Sequence, residues 1–185
     1  REGSFRESLE AIVSRLKKDL EVQKSISLDG GYAVRPDFDP VTVSEILGDI
    51  ERIFHAHNGA EGANLVLSGD GSPIPLRTDR DLVVRILSNL VINALEAADG
   101  REVRVWTERS DSFIVFKVWN PGKIDERVAM RIFQKYFTTK GEPGRGFGTY
   151  SAKYFCEEVL GGNIGFRSSR DEGTVFTVEL PVYGC

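Results

Sequence analysis

The sequence predicts an α+β fold: a two-layer α/β sandwich in which a mixed sheet carries helices on one face, preceded by a separate α-helix. Three observations carry this expectation. Apolar residues recur at helical spacing over residues 42–57 and 79–98. Alternation marks two strand pairs, 101–109 with 112–119 and 163–169 with 174–181, each around a short polar turn. The two kinds of segment are interleaved along a chain of 185 residues, which can bury roughly 70% of its unfolded surface.

The first segment reads as an isolated amphipathic helix. Phe5, Leu9, Ile12, Leu16 and Leu20 form a seam over residues 1–28, and Asp29-Gly30-Gly31 breaks it. We expect residues 1–30 to be part of a helical hairpin that dimerises, and residues 31–185 to be the catalytic body. In that body, Thr42 is placed to cap a helix whose apolar face is Val43, Ile46, Leu47, Ile50, Ile53 and Phe54. Short strands are expected at 63–67 and 74–77. Thr78 or Asp79 then caps a helix reaching Ala98. A further helix is expected over 125–134, a glycine-rich stretch over 141–148, and a last helix over 149–160 that stops at Gly161-Gly162.

The helix 79–98 is apolar around most of its circumference from Leu82 to Leu95, yet Arg85, Asn89, Asn93 and Glu96 recur at spacings of four, four and three. Such a stripe of amides on a buried helix needs partners, either neighbouring backbone or a polar ligand. A carboxamide oxygen is a hard, neutral donor suited to Mg²⁺ and its phosphate-bound waters. Further on, Gly141, Gly144, Gly146 and Gly148 precede a helix, with Lys140 and Arg145 nearby. Closely spaced glycines let backbone N–H groups approach an anion, and a mobile surface loop has the same composition. The stretch follows a helix rather than a strand and lacks a closing Gly-Lys-Ser/Thr, which excludes a dinucleotide fingerprint and a P-loop.

Taken in order, five segments resemble the GHKL, or Bergerat, ATP-binding fold shared by histidine kinases, DNA gyrase, Hsp90 and MutL. Asn89-Leu90-Val91-Ile92-Asn93-Ala94 resembles the N box, and Asn120-Pro121-Gly122-Lys123-Ile124 the first glycine box. Ile132 to Lys140 resembles the phenylalanine box, Gly144-Arg145-Gly146-Phe147-Gly148-Thr149 the second glycine box, and Gly173 to Pro181 the terminal motif. The resemblance implies that Asn93 binds Mg²⁺ bridging the ATP phosphates, with Asn89 beside it as its catalytic neighbour. It implies that Asn120 faces the adenine amino group, that Gly122 and Ile124 line the approach to the base, and that Thr174 supports that contact. Residues 138–148 would form a lid, with Lys140, Gly144, Arg145, Gly146, Phe147, Gly148 and Thr149 toward the nucleotide and Phe133 and Phe137 as anchors. Three positions depart from the family pattern. Asn120 stands where most members have Asp, in a box one residue shorter. Glu96 stands where many histidine kinases have Lys. Thr149 replaces a usual Leu, a change of minor consequence on sequence alone. An amide can accept from adenine N6 or turn and donate to a guanine oxygen, so looser base discrimination is expected than with Asp.

The function implied is a sensor histidine kinase catalytic domain, a transferase of two-component signal transduction. It would use ATP and Mg²⁺, dimerise through the N-terminal helix and pass phosphate to a response-regulator receiver domain. A gyrase-type ATPase is the rival, but those relatives carry Glu at the position of Asn89, and an amide cannot take a proton from water. A nucleotide-sensing module without chemistry is the third reading. The only histidines, His55 and His57, are followed by Ala56 and Asn58. The family's acceptor histidine is followed by an acid, so the acceptor is expected outside this chain. A net charge of −4 without a basic segment speaks against a nucleic-acid surface. Two cysteines, Cys156 and Cys185, suit a reducing cytoplasm better than a disulfide framework. No apolar run reaches the roughly 18 residues of a membrane span. The start at Arg1 leads us to expect a piece of a longer protein, with membrane anchoring of that protein left open.

Overall fold

The computed structural model describes residues 34–57, 64–69, 76–110, 112–137 and 148–182. The chain divides into two units between Arg35 and Pro36, and every described element belongs to the second. The helix expected over residues 1–28 lies outside the described residues. The second unit runs β1 (Asp39–Val41), α1 (Val43–His57), β2 (Leu65–Ser68), β3 (Leu76–Thr78), α2 (Arg80–Ala98), β4 (Val103–Arg109), β5 (Phe113–Asn120) and α3 (Glu126–Ala129). It continues through α4 (Gly148–Tyr154), a π-helical turn (Phe155–Val159), β6 (Asn163–Ser169) and β7 (Gly173–Pro181).

Five strands form one sheet in the order β2-β4-β5-β7-β6. β2 runs parallel to β4, and the other neighbours are antiparallel, so the sheet is mixed as expected. Alternation assigns its faces. Val103, Val105, Ile114, Phe116, Val118, Phe176, Val178 and Leu180 are buried, while Arg104, Trp106, Lys117 and Trp119 lie on the other, more open side. Against the buried face pack α2 and the π-helical turn, through Ile86, Leu87, Leu90, Val91 and Phe155, and α1 packs against α2 with Ile46 and Ile50 buried. β1 and β3 make a separate two-stranded sheet, Val41 opposite Leu76.

The helix starts are built by side chains. Thr42 and Glu45 form a reciprocal capping box: Glu45 N–H donates to Thr42 Oγ1 (3.2 Å), and Thr42 N–H donates to Glu45 Oε2 (2.8 Å). The backbone bond from Thr42, followed by its hydroxyl, holds the Glu45 carboxyl below its ordinary value of 4.5. A carboxyl lowered on folding stabilises the native state above that ordinary value, and its contribution fades as pH falls through the lowered one. Replacing Thr42 with alanine should cost about 1 kcal/mol in a urea denaturation series at neutral pH. That cost should shrink in the same series repeated below pH 4.5. Asp79, only 4% exposed, caps α2 through Leu82 N–H and uses its second oxygen on Asp37 N–H, both at 3.0 Å.

Two expectations need correction. The helix expected over 125–134 is one turn, Glu126–Ala129, capped by Asp125. Beyond it the chain descends in three-residue turns, Arg131 N–H to Val128 O, Gln134 N–H to Arg131 O and Phe137 N–H to Gln134 O. The Phe133 ring is drawn onto Phe166 and Phe176 of the sheet (centroids 6.0 and 6.4 Å), while Met130 is 76% exposed. The apolar residues there do not share one helical face. The helix expected over 149–160 widens after Tyr154, where Leu160 N–H reaches back five residues to Phe155 O (2.9 Å).

Candidate functional site

The polar stripe of α2 meets the first turn of α4. Asn89 Nδ2 donates to Ser151 Oγ (3.3 Å), and Ser151 Oγ donates to the Gly148 carbonyl (3.0 Å). Gly148 makes this approach close: a Cβ built there would sit 3.8 Å from Asn89 Oδ1 and 3.9 Å from Asn93 Nδ2. Asn89 and Asn93 are both half-buried, and no partner for the Asn93 amide is found among the described residues. The stripe is therefore graded rather than uniformly buried. Arg85 is half-buried with its guanidinium over Phe155 (5.4 Å), and Glu96, three residues beyond Asn93, is exposed.

A second polar group lies where β5 ends. Asn120 is 4% exposed and pairs in register with Thr174 of β7, which is 1% exposed. Asn120 Nδ2 donates to the Pro121 carbonyl (3.1 Å). Turning the amide would lose that bond and set two carbonyl oxygens together, while the second N–H of Nδ2 is not used by that bond. Gly122 has φ +116°, and a Cβ there would meet nothing within 4 Å, so its backbone faces open space. Thr174 Oγ1 donates to Gly122 O (2.8 Å) and lies 2.8 Å from Ser168 Oγ, which accepts from Ile124 N–H (2.8 Å). Sequence reasoning passed over Ser168. The turn at Asp171-Glu172-Gly173 carried the signal, because counting back from it sets Ser168 opposite Thr174.

Contacts join the two groups. Phe176, two residues beyond Thr174 on the same face of β7, meets Phe133; the neighbouring Ile132 carbonyl accepts from Thr149 Oγ1 at the start of α4. Thr149, set aside on sequence as a minor change, thus ties both flanks of the glycine-rich loop. Lys153 Nζ lies over the Phe133 ring (5.2 Å), and the Arg131 guanidinium covers Phe137 (4.4 Å). Lys140, Gly144, Arg145, Gly146 and Phe147 lie outside the described residues. Among the described residues no cluster of three His, Cys, Asp or Glu could hold a metal. Cys156 is buried, and burial pushes its thiol up to about 12, which leaves it unreactive.

Residues 78–184 match the family model of histidine kinase-, DNA gyrase B-, and HSP90-like ATPases. Over 146 residues, 77% of this chain, it is 29% identical to the heme sensor protein HssS of Staphylococcus aureus (strain Newman), of which it spans 31%. A solved structure of the catalytic domain of histidine kinase ThkA matches with a TM-score of 0.70 and 27% identity, covering 79% of this chain and 96% of that one. A structure of ThkA in complex with the response regulator protein TrrA shares the fold (TM-score 0.72, 23% identity, 97% of this chain and 52% of that one). The matched span contains α2 with both asparagines, the sheet from β4 to β7 and the loop at Asn120. The chain belongs to the histidine kinase-, DNA gyrase B-, and HSP90-like ATPase family, as a catalytic ATP-binding domain of the sensor histidine kinase kind.

Proposed function

We propose that this domain holds ATP with its adenine against Asn120, Gly122, Ile124 and Thr174 and its phosphates beside Asn89 and Asn93, and gives the γ-phosphoryl group to a histidine on a helical hairpin. The observation that carries this reading is the Asn93 amide, half-buried, without a partner among the described residues and facing Gly148 at the start of α4. Its neutral oxygen suits a hydrated Mg²⁺, for which Asn93 would be the protein ligand. Bound there, Mg²⁺ would offset the charge of the triphosphate. Asn89 has its amide donor committed to Ser151 and offers no base to activate water, which favours transfer over hydrolysis. Lys140 and Arg145 of the lid would add charge over the phosphates, with Phe133 and Phe137 as its anchors. Glu96, exposed where many relatives carry Lys, supports the second reading of a nucleotide-binding module without kinase activity.

The remaining parts of the proposal concern the longer protein. Residues 1–30 would supply one helix of the dimerising hairpin, and a receiver domain would take the phosphoryl group onward, as the ThkA–TrrA complex suggests. No helix among the described residues is long and apolar enough to cross a membrane. The proposed use of ATP supports a cytoplasmic location for the domain, whether or not the longer protein is anchored.

Phosphotransfer is tested with radiolabelled ATP. The isolated chain should bind ATP and remain unlabelled, and adding the hairpin that carries the acceptor histidine should produce acid-labile label on the hairpin. His55 and His57 belong to the last turn of α1, with side chains outside the described residues. Label on the isolated chain that disappears in His55→Ala or His57→Ala would place the acceptor in this domain instead. ATP binding with no transfer to the hairpin would favour the second reading.

A further inference from the structure

We propose that Ser168 is a positioning residue for base recognition, fixing the Asn120–Ile124 loop so that Thr174 presents an acceptor, and not its proton, to the purine 6-position. The proposal rests on the reading of that loop as the adenine site.

The argument is a count of protons. A hydroxyl has one proton to donate. Thr174 Oγ1 gives its proton to Gly122 O (2.8 Å), so the 2.8 Å contact between Ser168 Oγ and Thr174 Oγ1 must carry the Ser168 proton. Ser168 Oγ in turn accepts from Ile124 N–H (2.8 Å). The three bonds therefore run one way, from Ile124 N–H through Ser168 and Thr174 to the Gly122 carbonyl. The relay begins and ends in one loop and passes through two strands, clamping the loop on both sides of Lys123.

Two consequences follow for a bound base. The Gly122 backbone, at φ +116° with open space beside it, is held in place. The Thr174 proton is also spent within the protein, on Gly122 O. Asn120 Nδ2 gives one of its two N–H protons to Pro121 O (3.1 Å). What Thr174 Oγ1 retains is a lone pair, an acceptor. A 6-amino purine satisfies it. A 6-oxo purine sets its own lone pair against it, and an unmet buried acceptor is costly. Without the Ser168 hydroxyl, Ile124 N–H loses its acceptor and the loop its second clamp. Gly122 O is then free to part from Thr174, whose proton becomes available to a 6-oxo group.

The test compares ATP with inosine triphosphate, in which an oxo group replaces the 6-amino group and N1 carries a proton, by titration calorimetry with Mg²⁺ on the wild-type chain, Ser168→Ala and Ser168→Thr. The wild type should prefer ATP. Ser168→Ala should reduce the ATP-to-inosine preference roughly tenfold, the worth of one net hydrogen bond, as Thr174 becomes able to donate to the 6-oxo group. Ser168→Thr, which keeps the hydroxyl, should restore the preference. A purely structural role would weaken both nucleotides in equal proportion. That result, or an unchanged ratio in Ser168→Ala, would overturn the role of Ser168 and leave the adenine site standing. A wild-type chain that binds neither nucleotide would overturn the site reading itself.

Discussion

Replacing Asn93 with alanine should weaken Mg²⁺-dependent ATP binding on the order of a hundredfold, the worth of one hydrogen bond or ligand to a charged group. The fold should survive. Asn93 is half-buried, and no bond to its amide is found among the described residues, so its loss strands no donor or acceptor there. Asn89 still holds the first turn of α4 through Ser151, which donates to the Gly148 carbonyl. The stability change should stay within about 1 kcal/mol. Calorimetry with Mg-ATP beside a melting curve reads both quantities. Undiminished affinity would remove Asn93 from the phosphate end of the site. Affinity lost together with most of the melting temperature would make it a structural residue.

Gly173→Ala is expected to be strongly damaging. A Cβ at this position would lie 2.5 Å from the Asn120 carbonyl oxygen and 2.9 Å from Trp119 Nε1, and φ is +80°. The Trp119 indole cannot retreat easily, because its N–H donates to Glu172 O (2.7 Å) across the same turn. Overpacking against backbone and a left-handed conformation together should cost about 2–4 kcal/mol. Gly165→Ala provides the comparison, since a Cβ there meets nothing within 4 Å, and it should change stability by less than about 0.5 kcal/mol. A urea series on both variants measures the difference. Equal midpoints would mean that the turn rebuilds around the new methyl group. A damaged Gly173→Ala should also lose nucleotide affinity, because the same turn holds Thr174 opposite Asn120.

The elements most legible in the sequence are those whose signals are local. Thr42 with Glu45, Asp79 before Leu82, and the alternation of β4, β5, β6 and β7 each declare themselves within a few residues, and the structure places all of them within a residue or two of expectation. β1 was not expected. It is three residues long, contains Pro40, and exists by pairing with β3, a partner far along the chain. The helix expected over 125–134 stops at the short α3, because Phe133 is claimed by rings on β6 and β7. In the site, Asn89, Asn93, Asn120 and Thr174 were visible as residue types at suggestive places. Ser168 and the Thr149 bond to Ile132 were not, because each depends on a partner brought close by tertiary folding. The fixed orientation of the Asn120 amide was invisible for the same kind of reason: the sequence shows an amide beside Pro121, and only the backbone shows which way its carbonyl points.

The strand order has a kinetic consequence. β7 is the last strand in sequence among the described residues, yet it enters the sheet between β5 and β6. The hairpin β6–β7 can form by itself, but the bonds that seat it on the loop after β5 join residues 44 and 52 positions apart. Closing a loop of that size costs chain entropy before any contact repays it, so such pairings form late. The Ile124-to-Gly122 relay therefore matures with the final docking event, after β4 and β5 have paired locally. A nucleotide that requires the relay binds the docked state alone. At a hundred times its Kd it would stabilise that state by about 2.7 kcal/mol. On this account a chain emerging during synthesis gains affinity only once the residues of β7 are free to insert, and nucleotide then holds the last-formed seam of the sheet closed.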